Sequence, residues 1–379
     1  MIRSVRCLCT MTVLAMAFAV AHADPQDAAG AVTITASYTG DLVSTLSGGL
    51  QRGSAYLGMG TVAVSFDPEK AGLWQGGLFH LHAAGTHGAR PSMSMIGDLQ
   101  VASNIEAGNH LYVQELWYGQ RWGAAEFIVG LQDLNVHFAQ NENTPLYLNS
   151  SFGVPSTFSM NSPVSIFPLT SLGLSAIWTL ANDLALKGAL FDGSPTSFEH
   201  NPHNLQWHVG NDDGVFFVGE LQYGASGDTA GGPVIRLGAY RHSHRQADDP
   251  GGREIDVASG VYAMIDETVW RGTDGKSIAL FARTSVCPGR GPLNPFFAGG
   301  GVNLRGLLTA DGSDVLGFAC AHAVLRDIAD ETTLELTYLL PVADHCAVHP
   351  DLQYIINPGA GGGQVDPCLV GTLRFTLNL

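Results

Sequence analysis

His80-Leu-His82 and His242-Ser-His244 each put two imidazoles two residues apart. On an extended strand that spacing places both rings on one face, as a metal pair requires. Neither pair has an obvious third ligand in the sequence, so no metal site is expected. Gly227-Asp-Thr-Ala-Gly-Gly-Pro233 echoes the nucleophile loop of serine proteases, but threonine stands where serine is needed and an extra alanine intrudes. Glycine and aspartate are equally what a turn between strands uses. Glycine runs at 299–301 and 361–363 lack the strand–turn–helix setting of a phosphate-binding loop and suit tight packing and a loop tip. With no nucleophile–histidine–acid set in view, the sequence predicts no catalytic residues and no cofactor.

What remains is hydrogen-bonding and stacking chemistry. Arg90, Asp98, Asn104 and Glu106 fall within residues 84–108, and Asn149, Phe152, Phe158 and Asn161 within 134–170. An arginine beside a carboxylate presents donors and acceptors together, as a hydroxylated ligand requires. Trp117 and Trp178 offer flat faces for stacking and suit a membrane interface equally well, whereas Trp122 and Trp270 fall at predicted short turns and read as an interfacial girdle. Each set also reads as ordinary surface, so the elements that carry it must decide.

Those elements are strand-length segments of alternating polarity. In Gly371 to Leu379, Leu373, Phe375, Leu377 and Leu379 share one face, while Thr372, Arg374, Thr376 and Asn378 share the other. Thr333–Leu340 and Leu352–Asn357 repeat the pattern. Sixteen such segments are placed near 31–47, 54–66, 73–83, 109–119, 124–133, 171–180, 183–192, 214–223, 233–242, 257–268, 276–286, 297–308, 314–325, 331–341, 350–357 and 369–379. Short connections alternate with long ones at 84–108, 134–170, 193–213, 243–256, 287–296 and 358–368. Short periplasmic turns and long extracellular loops are the asymmetry of a transmembrane β-barrel. Arg236, Arg283, Arg305, Glu220, Glu335 and Arg374 sit at polar phases, which predicts lumen-facing charge.

Composition agrees. Hydrophobic residues make up 45% and charged residues 14%, and glycine is 47 of 379. Arg3 and Arg6, an apolar run from Leu8 to Val20 and Ala21-His22-Ala23 predict a secretory signal at 1–23, leaving 24–379 as the barrel unit. No later apolar stretch is long enough for a spanning helix. Without Arg3 and Arg6, 18 − 2 = 16 basic residues face 34 acidic ones, a balance near −18 that argues against nucleic acid as a partner. Cys287, Cys320, Cys346 and Cys368 carry no C-x-x-C pair, and no pairing can be assigned.

Several motifs resemble the carbohydrate-selective porins of Gram-negative outer membranes, in family order from about residue 50 onward. They include Gly97-Asp-Leu-Gln-Val-Ala-Ser-Asn-Ile-Glu-Ala107, Glu115-Leu-Trp-Tyr-Gly-Gln120 and Asn149-Ser-Ser-Phe-Gly-Val-Pro155. Ser165 to Thr170, Gly299 to Gly306 and His349 to Gly359 belong to the same set. The resemblance implies a 16-stranded all-β barrel of the bacterial outer membrane, probed by lipid and lipopolysaccharide outside and passing glucose and related sugars inside. It also implies a homotrimer. On that analogy the segments 84–108 and 134–170 fold inward, and Arg90, Asn104, Glu106, Asn149, Phe152, Trp117, Arg236, Arg283, Arg305 and Glu335 become candidates for the substrate pathway. A general or ion-preferring porin of the same architecture is the alternative, ahead of a barrel enzyme or a soluble secreted β protein. The sequence ends in Leu379, where outer-membrane proteins usually end in an aromatic residue, and the short stretch before the first strand predicts no extra periplasmic domain.

Overall fold

The computed structural model describes residues 30–379, apart from 208, 211–212, 225–231, 244–257, 273–274, 290, 310–311 and 360–364. The expected signal at 1–23, most of the Gly227–Pro233 motif, His244 and the glycine run 361–363 lie outside the described residues. Sixteen strands follow one another: β1 Val32–Ser47, β2 Gly53–Phe66, β3 Gly77–Gly88, β4 His110–Trp122, β5 Ala125–Gln132, β6 Ser171–Ala181, β7 Leu184–Asp192 and β8 Val215–Tyr223. The second half comprises β9 Val234–His242, β10 Ser259–Arg271, β11 Ser277–Val286, β12 Phe296–Arg305, β13 Val315–Val324, β14 Glu331–Ala343, β15 Cys346–Ile356 and β16 Cys368–Asn378. Each pairs antiparallel with its sequence neighbours, and β1 pairs with β16 to close the sheet. Closure removes both edges, so every ladder group can be satisfied without water.

The barrel is inside-out relative to a soluble protein. Along β15, Asp351 and Gln353 are 6% and 0% exposed, whereas Leu352 and Tyr354 are 40% and 41% exposed. The same phase puts Leu336, Leu280, Leu237, Phe217 and Leu174 outside, as a hydrocarbon belt requires. No described helix is long and apolar enough to cross a membrane. Trp74, Trp122, Trp178 and Trp270 stand exposed at or near the ends of their strands on the side of the short turns. Trp178 therefore belongs to an interfacial girdle. Trp117 does not, because it shares the inward face of His80 across the β3–β4 pair.

Two segments differ from the sequence expectation by four residues or more at an end. The strand expected at 350–357 begins at Cys346 and runs through Pro350, leaving a turn at 344–345 instead of a connection over 342–349. Proline has no N–H to give, and the β14 register skips from Thr337↔Asp351 to Leu340↔Val348 at that point. Likewise β3 is displaced toward its C-terminus, because Leu57 to Met59 of β2 need partners at Thr86 to Gly88. The connections at 48–52 and 325–330 are short although they lie on the long-loop side. Among the described residues, Cys287, Cys320, Cys346 and Cys368 are free thiols.

Packing is concentrated where the long 133–170 connection enters the lumen. Leu134, Phe138, Val154 and Phe158 pack on Phe191, Phe216, Val218, Tyr240 and Tyr262 of the wall. Leu146, Tyr147 and Phe152 pack on Phe281, Phe297 and the alanines 319, 321 and 323. Glycine at 301 and 317 keeps this wall flat, since a Cβ at Gly317 would strike Leu146 and one at Gly301 would strike Phe281. Leu336→Arg, on the lipid face, should cost about 2–4 kcal/mol, and Leu308→Arg, in the 306–314 turn, no more than about 1 kcal/mol. Urea unfolding in lipid vesicles measures both; equal costs would place Leu336 off the hydrocarbon belt.

Candidate functional site

A sixteen-stranded wall alone encloses a wide hole, so the loops set what passes. Asp133 caps a short helix, Leu134–His137, by accepting from the Asn135 N–H. From there the segment is pinned to successive wall strands. Ala139 N donates to Glu220 on β8 at 2.9 Å, and Asn141 and Asn143 both donate to Asp266 on β10. Tyr147 hydroxyl reaches Asn303 on β12 at 2.7 Å, and the N–H groups of Leu148 and Asn149 both donate to Glu335 on β14. Asn149 Nδ2 then donates to Gln353 on β15. The segment thus travels half-way round the lumen as an inner ring. Hydrogen bonds to charged groups contribute roughly 1.5–3 kcal/mol each, so several together hold the ring firmly.

The return path is held by arginine. Arg283 on β11 donates to the carbonyls of Phe152, Gly153 and Ala139. Arg236 on β9 pairs with Asp266 and Glu142, each at 3.2 Å. Lys187 pairs with Glu220 at 2.9 Å and donates to the His137 carbonyl. Opposite, Arg374 on β16 makes a two-pronged pair with Asp41 on β1, at 2.7 and 2.8 Å. Ser103 and Asn104 of the connection at 89–109 bind this pair, through Asp41 and Arg374 respectively. Asn104 N also donates to the Leu148 carbonyl, which joins the two inward segments.

Between the ring and the β16–β1–β2 wall an opening of about 450 Å³ remains. Thr39, Met59, Arg374 and Thr376 line it on the wall, and Asn104 and Ile105 on the first segment. Asn135, Gln140, Thr144, Tyr147, Ser150, Phe152 and Phe167 line it on the second. Its volume falls within the roughly 300–1,000 Å³ typical of small-molecule sites. Amides, hydroxyls, one paired guanidinium, the hydrogen-bonded Asp133 carboxylate and aromatic faces surround it, a lining that suits a polyhydroxylated solute.

Of the residues singled out by sequence, Asn104 and Phe152 reach the opening. Asn149, Arg236, Arg283 and Glu335 are buried behind it and position the ring. Glu106 accepts from the Ser92 N–H, and the exposed Arg90 donates to the Ala107 carbonyl, so both brace the first segment from within. Arg305 lies at the short-turn mouth with Arg271 and Lys276, around a separate cavity of about 350 Å³. Trp117 faces the lumen beside His80, away from the opening. Sequence reasoning missed Asp41, Asp266, Asn303, Tyr147 and Gln353. Each except Tyr147 sits at the inward phase of its strand, and that phase was the available signal.

Asp98 is 5% exposed, with neither carboxylate oxygen hydrogen-bonded. Burial, then the nearby Glu331 carboxylate, pushes its pKa up to about 8. A group whose folded pKa is raised favours the fold while protonated and loses that contribution as pH rises through the folded value. Amide exchange over residues 92–106, corrected for intrinsic rates, should therefore quicken between pH 7 and pH 9. In Asp98→Asn the pH step should vanish; a step that persists would assign it to another group.

The profile of the carbohydrate-selective porin, OprB family, matches residues 51–379. No curated protein sequence is found to match. Among solved structures, the high-pH form of Pseudomonas putida OprB superposes with a TM-score of 0.82 at 18% identity, covering 93% of this chain and 96% of that one. Its low-pH form gives 0.62 at 17%, covering 93% and 94%. A porin of Rhodopseudomonas blastica gives 0.54 at 10%, covering 92% and 100%.

Proposed function

Because the chain belongs to the OprB family of carbohydrate-selective porins, we propose that the opening beside Arg374 and Asn104 is its sugar path. The protein is a multi-pass outer-membrane channel for passive carbohydrate diffusion, and the finer assignment concerns which groups the solute meets. The observation that carries it is the cancellation of charge around the ring: Arg374 with Asp41, Arg236 with Asp266 and Glu142, Lys187 with Glu220. Charges paired in this way exert little pull on ions, while the amides and hydroxyls between them replace water at sugar hydroxyls. Interaction must stay weak for flow to continue; at the opening the Arg374 guanidinium is paired with Asp41, and the Asp133 carboxylate is held by three N–H donors.

In this reading Asn104, Gln140, Thr144 and Ser150 exchange hydrogen bonds with the sugar, and Tyr147, Phe152 and Phe167 present ring surface. Glu335, Arg283, Arg236 and Asn149 act as positioning residues. Arg283→Ala releases three carbonyls of the ring and should widen the passage. Liposome swelling should then show trisaccharides entering several-fold faster, with little change for glucose. Unaltered size discrimination would show that the ring does not set the limit.

Residues 1–23 serve as the export signal, and lipid and lipopolysaccharide contact the apolar belt. The functional unit is a homotrimer joined through the outer face of β1 to β3. That face is flattened by Gly40, Gly58, Gly60 and Gly85, and carries Tyr38 bonded to Tyr56 and His87. Hydroxyl and imidazole groups suit a protein contact better than lipid tails. Gly58→Leu should convert a cross-linkable trimer to monomer; a monomeric native protein would remove this assignment.

A further inference from the structure

The two-histidine motif of β3 acquires from the fold what the sequence lacked. The β3–β4 register sets His82 opposite Glu115 and His80 opposite Trp117, all facing the lumen. Glu115 Oε2 lies 3.9 Å from His80 Nε2 and 3.8 Å from His82 Nδ1. These separations are too long for hydrogen bonds. Both imidazoles therefore face one carboxylate oxygen across a short gap, with their ring centroids 6.4 Å apart.

The surroundings aim them there. Ser65 Oγ holds His80 Nδ1 at 2.9 Å, which turns Nε2 toward the carboxylate, and the Trp117 ring stacks on the imidazole at 4.9 Å. Glu115 Oε1 is occupied by the Trp117 and Asp133 N–H groups, leaving Oε2 for the gap. A hydrogen bond to the far nitrogen of a ligating imidazole is the usual outer support of a metal site. His137, whose buried Nε2 has no partner, lies within electrostatic reach of Glu115.

We propose that His80, His82 and Glu115 bind a divalent cation of the zinc, copper and nickel class in the lumen. Two imidazoles and one carboxylate favour these ions over calcium or magnesium, which prefer oxygen alone. Among the described residues no group of three or more His, Cys, Asp or Glu side chains is placed, as it stands, to hold a metal ion, so binding here requires these three to close in. Bonds of about 2.0–2.2 Å in a tetrahedral site put donors roughly 3.4 Å apart. The gap must then close by about half an ångström, within reach of side-chain rotation. Half-buried His82 can supply that movement. The fourth position stays open to water, and the bound charge faces the lumen on the β3–β4 wall, away from the opening itself.

The test uses the purified full chain in detergent and in planar bilayers, with zinc as the probe. Calorimetry should find one zinc per chain, and His80→Asn with His82→Asn should weaken binding at least tenfold. Micromolar zinc should lower single-channel conductance, reversibly with a chelator, in the native protein and not in the double variant. Glu115→Gln should weaken binding as well, while His322→Asn, on the outer face, should not. Heat-dependent mobility in SDS checks that each variant folds. Absence of zinc binding by the native protein, or equal binding by the double variant, overturns the site. Glucose-driven swelling without zinc reads the sugar path separately, so failure of one reading is distinguishable from failure of the other.

Discussion

Asp41 and Arg374 are 333 residues apart in sequence and bonded twice in the lumen. They sit on the first and last strands, directly opposite in register. Backbone groups in hydrocarbon must find partners within the protein, so the barrel exists only if that seam is sealed. The ion pair is buried on the inner side of the seam. Removing either member would leave a buried charge unpaired, a costly state. Through Ser103 and Asn104 the same pair also holds the first inward segment, and through Asn104 N it reaches the second. Seam and passage thus share one fastening.

The remaining wall acids follow a common logic. Loop segments that leave the sheet carry N–H groups with no ladder partner, and such groups are costly to bury unpaired. Glu220, Asp266, Glu331 and Glu335 supply acceptors at successive stations, each taking backbone or amide donors from an inward segment. Basic residues answer the carbonyls, as Arg283 does for three of them. Much of the wall's charge is therefore engaged in holding the ring rather than presented to a solute.

Strand positions were legible because alternation is a local property. All sixteen segments appear where polarity alternates, and the misplacements occur where glycine or proline interrupts the pattern, at residues 84–88 and at Pro350. Lumen-facing phase was legible too, as Glu335, Arg236 and Arg283 show. Their task was not, because whether a wall charge meets a solute or a loop depends on contacts 94 to 187 residues apart, from Arg236 with Glu142 to Glu335 with Leu148. Asp41 escaped notice as a lone acid in a strand of threonine, serine and glycine, the same residue types that make turns. Glu115 could not be matched to the histidines by spacing, since the pairing register supplies it from the neighbouring strand.

The distance along the chain across the seam also governs how the molecule is made. Contacts between remote segments form slowly, since the intervening chain must be ordered first. Until β16 arrives, β1 presents an open edge able to accept any stray strand. Biogenesis therefore passes through an unsealed sheet whose lifetime is set by the last hairpin, and this interval is when the nascent barrel is most exposed to misassembly. A holding partner that covers the free edge of β1 would shorten that exposure without appearing in the finished molecule.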